Sequence, residues 1–398
     1  MKLLMLHNYY QQPGGEDLCL ADESKLLRSH GHSVLWYTDD NRRIDQLDRL
    51  TLARATLWNS STYRDLARLI ATHRPDIVHV HNIFPLISPS AYYVAQAARV
   101  PVVQSVHNFR MFCVNGTFTR SGKICKDCTR TTLPWPGVVH RCYRGGLISS
   151  LGAAAGLTMH KALRTHSRKI DLFIVPSEFV KRQLIECGIP LAKVRVKPNF
   201  VPGNPRVGGR RQACAVFVGR LSQEKGLPTL LAAWRSLAAE IELKVVGDGP
   251  LRDLVRTAAA QDRRISFLGR QSPESVLEIM QSALCVVIPS ECYESFGRVA
   301  IEAFSVGTPV IAAQIGALPE LVEDGRTGFH FPPGDACGLR AKLQHLYDAQ
   351  DMFDTMSRAA RSKYETEFTA SRNYRLLVNI YSEALKDATP LRMPVSAQ

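Results

Sequence analysis

Short apolar runs recur along the whole chain, and longer amphipathic stretches separate them. In the first half these runs are Leu3–Leu6, Val34–Tyr37, Ile77–Val80, Val102–Val106 and Leu172–Val175. In the second half they are Ala215–Val218, Leu243–Val246, Ile265–Leu268, Cys285–Ile288 and Val310–Ala312, with helix-like segments such as Pro228–Ala239 between them. Apolar runs of this length are typical of strands in parallel sheets. The pattern predicts two doubly wound α/β domains.

Prolines and glycines cluster between the two series of runs. Pro198, Pro202, Pro205, Gly203, Gly208 and Gly209 interrupt any regular element, which places a domain boundary near residues 200–212. A chain of 398 residues also exceeds the size of a single core, which stops growing at roughly 250–300 residues. We therefore predict an N-terminal domain at residues 1–200, with a cysteine-bearing insert at 110–145, and a C-terminal domain at 201–370. The segment Ala370–Leu385 has a helical pattern, and Pro390–Gln398 is predicted to fray.

Two glutamates follow the predicted strand Cys285–Ile288, in the segment PSECYESFGRVAIEA. On one continuous helix Glu294 and Glu302 would lie about 80° apart, so a loop followed by a helix fits better. In that arrangement Ser295, Phe296 and Gly297 open the helix, and Glu302 lies near its start. Helix N-termini bind phosphate, and carboxylates accept hydrogen bonds from sugar or ribose hydroxyls. The spacing fits a nucleotide-sugar site, and by itself it fits a surface helix with two solvated acids as well.

Charge is distributed unevenly along a chain whose net charge is +14. Residues 1–200 contain 27 Lys and Arg against 14 Asp and Glu, a net charge of +13, whereas the remainder is nearly neutral. A basic domain attracts anionic partners such as a membrane surface or a phosphorylated acceptor, and it also favours solubility. No uncharged apolar stretch reaches the ~18 residues of a membrane span, so we expect a cytoplasmic protein.

Several motifs in order along the chain resemble those of one enzyme family. The E-x7-E motif from Glu294 to Glu302 is accompanied by YYQQPGGED, VFVGRLSQEKGLPTLLAAW, VVGDGP, FLGR and EDGRTGFHFPPGD. This set resembles the retaining glycosyltransferases of family 4, the group 1 glycosyl transferases. The resemblance implies the GT-B fold, in which two Rossmann-like domains face each other across a deep cleft. It also implies a helix at residues 371–390 that crosses back to the N-terminal domain.

The resemblance assigns roles to individual residues on the donor side. It implies that Glu294 lies at the donor sugar and that Glu302 binds the ribose hydroxyls of a UDP- or GDP-sugar. Arg220 and Lys225 are expected to neutralise the donor diphosphate as it leaves, which requires no metal cofactor. The remaining predicted donor-binding residues are Gly14, Gly15, Ser295, Phe296 and Gly297. For the retaining reaction we favour attack on the face of the leaving group, because no residue in these motifs is clearly placed as a nucleophile.

Histidines and polar residues at strand ends predict the rest of the site. His107 closes the run Val102–Val106 and matches a family histidine near the donor sugar, so we take His107 and Glu294 as the catalytic residues. Glu16 follows the two glycines and is suited to cap the next helix. The predicted acceptor-side residues are Glu16, His81, Asn82, Asn108 and Arg110. The acceptor itself is expected to be a lipid-linked or polysaccharide precursor.

Four of the ten cysteines fall within the predicted insert. Cys125 and Cys128 form a C-x2-C pair, which together with Cys113 and Cys142 provides the ligand set of a structural zinc site, and His140 is a potential substitute ligand. Because there is no second closely spaced pair of cysteines, the pattern fits four reduced thiols in a loop beside the acceptor site as well as it fits a zinc site. A disulfide fits a reducing cytoplasm least well.

The segment Gly145–His160 is uncharged and is followed by Lys161, Arg164, Arg168 and Lys169. It suits either a buried helix or a peripheral contact with the inner face of a membrane. Among other functions, a GT-B epimerase or hydrolase acting on nucleotide sugars would share the donor motifs. A basic zinc-containing nucleic-acid-binding protein is a distant alternative without a recognition element, so we expect no nucleic-acid partner. An NAD enzyme is disfavoured because no predicted strand is followed by G-x-G-x-x-G.

Overall fold

The computed structural model describes residues 1–11, 14–208 and 211–388. Gly209 of the predicted linker and the predicted frayed end Pro390–Gln398 lie outside these ranges. Contacts divide the chain into two units. Unit 1 comprises Met1–Phe118, Cys125–Lys197 and the C-terminal segment from Tyr374, and unit 2 comprises Thr119–Ile124 and Pro198–Asn373. The long N-terminal part of unit 1 therefore ends at Lys197, just before the predicted linker at residues 200–212.

The strands, in chain order, are β1 (Lys2–Tyr9), β2 (Ser33–Asp40), β3 (Ile77–Asn82), β4 (Val102–Ser105), β5 (Thr119–Arg120), β6 (Lys123–Ile124), β7 (Leu172–Val175), β8 (Val194–Val196), β9 (Cys214–Val218), β10 (Glu242–Val246), β11 (Ile265–Gly269), β12 (Cys285–Ile288), β13 (Val310–Ala313) and β14 (Gly328–Phe331). Each of the ten apolar runs coincides with one of these strands.

The α-helices are α1 (Gly15–Ser29), α2 (Arg49–Leu57), α3 (Ser60–His73), α4 (Ser90–Ala97), α5 (Trp135–Val139), α6 (Leu147–Ala162), α7 (Thr165–Lys169), α8 (Glu178–Glu186), α9 (Leu227–Arg235), α10 (Arg252–Gln261), α11 (Pro273–Gln281), α12 (Arg298–Ser305), α13 (Leu318–Leu321), α14 (Ala336–Asp348), α15 (Gln350–Glu367) and α16 (Ala370–Ala388). Short 3₁₀ turns occupy Asn41–Gln46, Asp127–Thr129, Leu191–Lys193 and Gln223–Lys225. Within the described residues, none of the helices combines the length and the apolar character that crossing a bilayer requires.

Each unit is built on a six-stranded parallel sheet, which confirms the predicted α/β class. The sheet of unit 1 has the order β2-β1-β3-β4-β7-β8, and that of unit 2 has the order β11-β10-β9-β12-β13-β14. In unit 2 the chain leaves β9 toward one edge and returns to place β12 on the other side of β9. Ligands of open α/β sheets bind where the strand order reverses in this way, outside the carboxyl ends of the strands. The corresponding reversal in unit 1 lies between β1 and β3.

The last described helix, α16, belongs to the core of unit 1. Its apolar residues Leu377, Ile380, Tyr381 and Ala384 are buried in one cluster with side chains of β1, β4 and β7. Apolar residues spaced three and four apart form one face of a helix, and that face packs against the sheet here. The C-terminal segment therefore returns to the first unit, as the resemblance implied. It comes at residues 370–388, close to the predicted 371–390.

Four strands, β5, β6, β8 and β14, were absent from the sequence prediction, and one helix begins later than predicted. β5 and β6 have only two residues each. β8 has three residues with Arg195 in the middle, and β14 begins at a glycine, so neither forms an uninterrupted apolar run. The helix expected to open at Ser295 begins at Arg298 instead, because Gly297 has φ +100° and therefore does not continue a right-handed helix.

Candidate active site

Two loops meet at the point of strand reversal in unit 2. The first follows β9 and runs through residues 219–226, and the second follows β12 and runs through residues 289–297. Gly226 joins them closely: it has φ +70°, and a Cβ atom there would lie 1.7 Å from the carbonyl oxygen of Pro289. Only glycine fits this position, since a side chain would collide with backbone. The close approach brings Lys225 next to the second loop.

A half-buried ion pair connects the two loops. Lys225 Nζ donates to Glu294 Oε1 at 2.6 Å, and Ser290 Oγ donates to the same oxygen at 2.5 Å. Burial by itself would raise the pKa of Glu294, but the Lys225 ammonium outweighs it and holds that pKa below its ordinary value. Burial would lower the pKa of Lys225, and Glu294 reverses that effect, so the pKa of Lys225 is raised. Both groups are therefore charged at neutral pH.

The backbone of Glu294 is fixed by a third loop that sequence reasoning did not identify. Ala317 N donates to the carbonyl oxygen of Glu294 at 2.9 Å. Gly316 has φ +63°, and a Cβ atom there would lie 2.5 Å from the same oxygen. The signal was present in the sequence, as an isolated glycine shortly after the strand that ends at Ala313. Three loops, after β9, β12 and β13, thus position one carboxylate.

Helix α12 carries the second glutamate of the motif. Arg298 Nε donates to Glu302 Oε1 at 2.8 Å, one helical turn away, and both side chains are less than one-fifth exposed. Gly297 precedes the helix, while the Phe296 side chain lies in the hydrophobic core of unit 2. The Phe296 side chain therefore faces away from any bound donor, so only its backbone remains available for the predicted role. Ser295 is half-buried in the same loop.

Arg220 occupies the loop after β9 and its side chain is exposed, whereas Lys225 in the same loop is half-buried. The predicted pair thus divides into one anchored ammonium and one solvent-facing guanidinium. Arg298, which the sequence analysis did not select, adds a third positive charge on this side of unit 2.

Replacing Gly226 by alanine is expected to destabilise unit 2 and to misplace Lys225. The left-handed backbone alone costs about 1–2 kcal/mol for an L-residue, and the contact with Pro289 adds to that cost. Gly269→Ala is a matched control, because Gly269 has φ +67° with no atom near its potential Cβ. Thermal unfolding should therefore show a larger drop for Gly226→Ala, and equal drops would contradict the role of the close approach.

His107 follows β4 in unit 1 and is backed by a second histidine. His81 Nδ1 and His107 Nε2 are 3.1 Å apart, and the two ring planes are within 16° of parallel with their centroids 5.3 Å apart. His81 is fully buried behind the half-buried His107. Burial lowers the pKa of both imidazoles, well below the ordinary value for His81, so both rings are neutral at pH 7.

The two N-terminal glycines precede α1, but the predicted capping residue was wrong. Gly14 is the N-cap of the helix, and Asp17 Oδ2 accepts from Gly14 N at 2.7 Å. Asp17 replaces Glu16 in this role because the third residue of a helix reaches back to the N-cap amide. Asp17 Oδ1 also lies 2.7 Å from His7 Nε2, which ties the cap to β1. Among the described residues beyond their immediate chain neighbours, no atom lies within 4 Å of a potential Cβ at Gly14 or Gly15.

Glu16 belongs instead to a polar group with Asn108. Asn108 Nδ2 donates to Glu16 Oε1 at 2.8 Å and to the Tyr10 hydroxyl at 3.1 Å, while Asn108 Oδ1 accepts from Arg110 N. The Arg110 guanidinium lies 4.6 Å above the ring of Phe84. Among the described residues, the Arg110 Nε and one terminal nitrogen are buried without a hydrogen-bond partner. These groups share the carboxyl end of the sheet with His107.

Asn82 has a structural role at the same edge. Its Nδ2 donates to the carbonyl oxygen of Asn8 at 2.6 Å, and its Oδ1 accepts from Phe84 N at 3.1 Å. Asn82 thus links the ends of β1 and β3, and its amide is engaged within the protein. Asn82 also lines a cavity between the ends of β3 and β4 and helix α6, together with His81, His107, Arg110 and a mixture of polar and apolar side chains.

The four cysteines of the predicted zinc site occupy one region of unit 1. Cys113 donates to Asn115 Oδ1 at 3.0 Å, and Cys128 and Cys142 pack against the apolar cluster of Val114 and Ala153. Burial, followed by the neighbouring Cys113, raises the pKa of the Cys128 thiol to about 11. Throughout the described ranges, the set of three acid, histidine or cysteine ligands close enough to share an ion is Glu23, His79 and His81, not these cysteines. The zinc site stays a prediction, which metal analysis of the purified protein tests.

Glu23, Lys197 and Tyr381 were also missed by the sequence analysis. Lys197 Nζ and Glu23 Oε1 are 2.5 Å apart, and both side chains are 1% exposed. The Tyr381 hydroxyl lies 2.7 Å from His79 Nδ1. Glu23 and Lys197 are 174 residues apart in the sequence, and His79 and Tyr381 are 302 residues apart. No local sequence pattern reveals contacts between residues so far apart.

Comparison with known families covers most of the chain. The family profile described as Glycosyltransferase Family 4 matches residues 13–202, and the profile described as Glycosyl transferases group 1 matches residues 212–349. Together the two matches extend over both units.

Individual relatives and solved structures agree with these profiles. Glycogen synthase of Mycobacterium tuberculosis is 28% identical over 310 residues, 74% of this chain, and the chain spans only 66% of that protein's length. Phosphatidyl-myo-inositol mannosyltransferase of Mycolicibacterium smegmatis is 26% identical over 360 residues, which are 86% of this chain and 84% of that protein. The crystal structure of Anabaena Alr3699/HepE in complex with UDP has a TM-score of 0.69 at 20% identity, covering 96% of this chain and 100% of that one. At such identity the likeness establishes the fold, a pair of Rossmann-like units of the GT-B type.

Proposed function

The chain belongs to the glycosyltransferases of family 4, and on that premise we propose that it transfers a sugar from a nucleoside-diphosphate sugar to an acceptor, with retention of configuration at the anomeric carbon. The observation that carries this proposal is the ion pair of Lys225 and Glu294 at the strand reversal of unit 2. It provides a positive charge and a carboxylate at the position where open α/β sheets bind nucleotides.

The donor diphosphate is proposed to bind between the loops after β9 and β12. Lys225 and Arg220 would stabilise the negative charge that develops on the departing nucleoside diphosphate, which makes a metal ion unnecessary for this step. Glu302, oriented by Arg298, would accept hydrogen bonds from the ribose hydroxyls. A solved protein of the same fold was crystallised with UDP, which supports a nucleotide at this site. The donor is accordingly a UDP- or GDP-sugar.

Retention is proposed to occur by attack on the face from which the diphosphate departs. Double displacement would require a carboxylate free to attack the anomeric carbon. Glu294 is a poor nucleophile in this environment, because one of its oxygens already accepts from both Lys225 and Ser290. We assign it instead to orienting the donor sugar and to stabilising positive charge on the anomeric carbon.

A nucleotide panel tests the donor. Thermal unfolding of the purified protein is measured with UDP, GDP, ADP and their sugars, for the wild type, Glu302→Ala and Lys225→Ala. One nucleotide family should raise the Tm of the wild type, and each variant should lose most of that shift. Absence of any stabilisation of the wild type would contradict the proposed donor site. A GT-B epimerase or hydrolase would also bind nucleotide, so acceptor-dependent release of the nucleoside diphosphate distinguishes the transferase.

The acceptor is proposed to be a lipid-linked or polysaccharide precursor reached at an anionic membrane surface. Helices α5 and α6 expose a group of large apolar side chains, each more than half exposed: Trp135, Val139, Leu147, Ile148 and Leu151. The exposed Arg141 and Arg144 lie between these two helices. Apolar side chains next to arginines suit the interface of an anionic bilayer. This surface belongs to the more basic part of the chain.

Replacing Ile148 and Leu151 by glutamate is expected to lower binding to anionic liposomes at least 10-fold. The double change removes two exposed apolar side chains and adds two charges that the anionic surface repels. Flotation with vesicles containing anionic lipid measures the bound fraction, and Leu268→Glu, at an exposed apolar position of unit 2, is the control. Equal binding of wild type and double variant would contradict the proposed surface.

A further inference from the structure

A row of buried ionisable side chains extends behind His107 in unit 1. Lys197 Nζ is 2.5 Å from Glu23 Oε1, Glu23 Oε2 is 3.6 Å from His81 Nε2, and His81 Nδ1 is 3.1 Å from His107 Nε2. Lys197 follows β8, Glu23 lies on α1, and the histidines come from β3 and the end of β4. Four separate elements thus place these side chains in line. Burying charge is expensive unless each group has a partner, so the arrangement calls for an explanation.

The same region has the composition of a metal site, but its contacts argue against one. Glu23, His79 and His81 are close enough to share an ion. However, the Lys197 ammonium already neutralises Glu23, and a second cation beside it would be repelled. Both ring nitrogens of His79 are also engaged, Nδ1 with the Tyr381 hydroxyl at 2.7 Å and Nε2 with Ser105 Oγ at 2.8 Å. We therefore treat the row as a set of polar contacts without an ion.

The charge on Glu23 determines where the protons of the two histidines lie. Burial would raise the pKa of Glu23, but Lys197 keeps it below its ordinary value, so Glu23 is a carboxylate and only accepts. Within the part of the chain that the structure describes, neither Glu23 Oε2 nor His81 Nε2 has a hydrogen-bond partner. A lone pair on Nε2 would be repelled by the carboxylate, so Nε2 carries the proton of the neutral His81 ring. The 3.6 Å distance between Glu23 Oε2 and His81 Nε2 is longer than a hydrogen bond. The interaction is therefore the attraction between the carboxylate charge of Glu23 and the N–H dipole of His81.

The tautomer of His81 fixes that of its neighbour. With its proton on Nε2, the neutral His81 offers a lone pair on Nδ1, which accepts from His107 Nε2–H across the 3.1 Å contact. The neutral His107 then has a lone pair on Nδ1. A neutral imidazole in this state can accept a hydrogen bond from a hydroxyl and cannot donate one from the same nitrogen.

We propose that Glu23 and His81 are positioning residues that hold His107 in the Nε2–H tautomer, so that His107 Nδ1 accepts a hydrogen bond from a substrate hydroxyl. The part that concerns substrate rests on the proposed function, whereas the tautomer itself does not. Orientation of a site imidazole by a second polar group is a recurrent device, because the tautomer decides which partner the ring can bind.

Nitrogen-15 NMR of histidine-labelled protein tests the tautomer directly. In the wild type, His107 Nε2 should be protonated and Nδ1 unprotonated, with the resonances assigned by their loss in His107→Asn. In Glu23→Gln, the amide oxygen should face Lys197 and the amide NH₂ should face His81 Nε2. That donor reverses both tautomers, so the proton of His107 should move to Nδ1. A wild-type ring protonated on Nδ1 would overturn the proposal, even if the variant fails to fold.

A matched variant separates positioning from general damage to the core. Tyr381→Phe removes the hydrogen bond to His79 within the same buried cluster, but it leaves the row of Glu23, His81 and His107 intact. It should keep the wild-type tautomer, whereas Glu23→Gln should reverse it. A reversal in both variants, or in neither, would overturn the inference.

Activity provides the second readout. We expect Glu23→Gln to lower kcat at least 10-fold while the Tm shift produced by the stabilising nucleotide is unchanged, because Glu23 lies in unit 1 and the donor site is assigned to unit 2. A reversed tautomer with unchanged kcat would overturn the assigned contact with substrate. If no nucleotide stabilises the wild type, the proposed function fails, and the NMR result still decides the tautomer.

Discussion

Replacing Lys225 by alanine is expected to lower kcat about 10²–10³-fold, which is the typical cost of removing one preorganised group that stabilises transition-state charge. Lys225 is the half-buried cation at the strand reversal, and its ammonium lies 2.6 Å from Glu294. The departing diphosphate would lose its closest positive charge in this loop, and Glu294 would lose its counterion. Release of nucleoside diphosphate under saturating donor measures the effect.

Two further variants separate these losses. Lys244→Ala removes another lysine of unit 2, whose Nζ lies 3.1 Å from Gln212 Oε1 away from the site loops, and it should leave kcat within about 2-fold. In Lys225→Met/Glu294→Gln no unpaired carboxylate remains, so its Tm compared with that of Lys225→Ala measures how much of the lost stability comes from the unpaired Glu294. A kcat for Lys225→Ala close to that of the wild type would contradict the role of the ion pair.

Lowering the pH from 7 to 4.5 is expected to reduce the free energy of unfolding of unit 1 by several kcal/mol. Burial lowers the pKa of His79 and of His166 to about 4, against 6.5 for an ordinary histidine. The unfolded chain binds protons on these rings below pH 6.5, whereas the folded chain does not until pH 4. The stabilisation from these rings is therefore complete above pH 6.5 and is lost as the pH falls toward 4, which amounts to roughly 2–3 kcal/mol per ring by pH 4.5.

Urea denaturation at the two pH values, followed by tryptophan fluorescence, measures this change. His166→Phe keeps an aromatic ring in place of an imidazole without a titrating nitrogen, and it should remove about half of the pH dependence that the two rings produce. If the urea midpoint is the same at pH 7 and pH 4.5, the pKa values of these two imidazoles are not lowered in the folded protein, and the prediction is wrong.

The fold could be predicted from the sequence wherever a strand is buried on both faces. Such strands form continuous apolar runs, and these gave all the central strands of both sheets. The edge strands β2 and β11 also formed apolar runs, whereas the edge strands β8 and β14 did not: β8 has Arg195 in its centre, and β14 begins with a glycine and contains His330. Local patterns carry little information about such positions.

The donor-side residues could be predicted from the sequence because they lie in loops that directly follow predicted strands. Glu294 and Lys225 could be selected in this way, although their contact could not be. The unit 1 residues were harder to interpret. His81 was expected to face the acceptor and is instead buried behind His107, and its partner Glu23 lies in a helix whose sequence gives no sign of a buried carboxylate. Contacts between elements distant in sequence decide these roles.

The packing of α16 on the sheet of unit 1 determines the order in which the protein is able to fold during synthesis. Because a chain leaves the ribosome from its N-terminal end, residues 198–373 emerge ahead of Leu377, Ile380 and Tyr381. The second unit can therefore complete its core while the first still exposes an apolar surface on its sheet, although the first was synthesised earlier. A chain that stalls near residue 370 would remain a target for chaperones and proteases, since a surface of this kind is what they recognise.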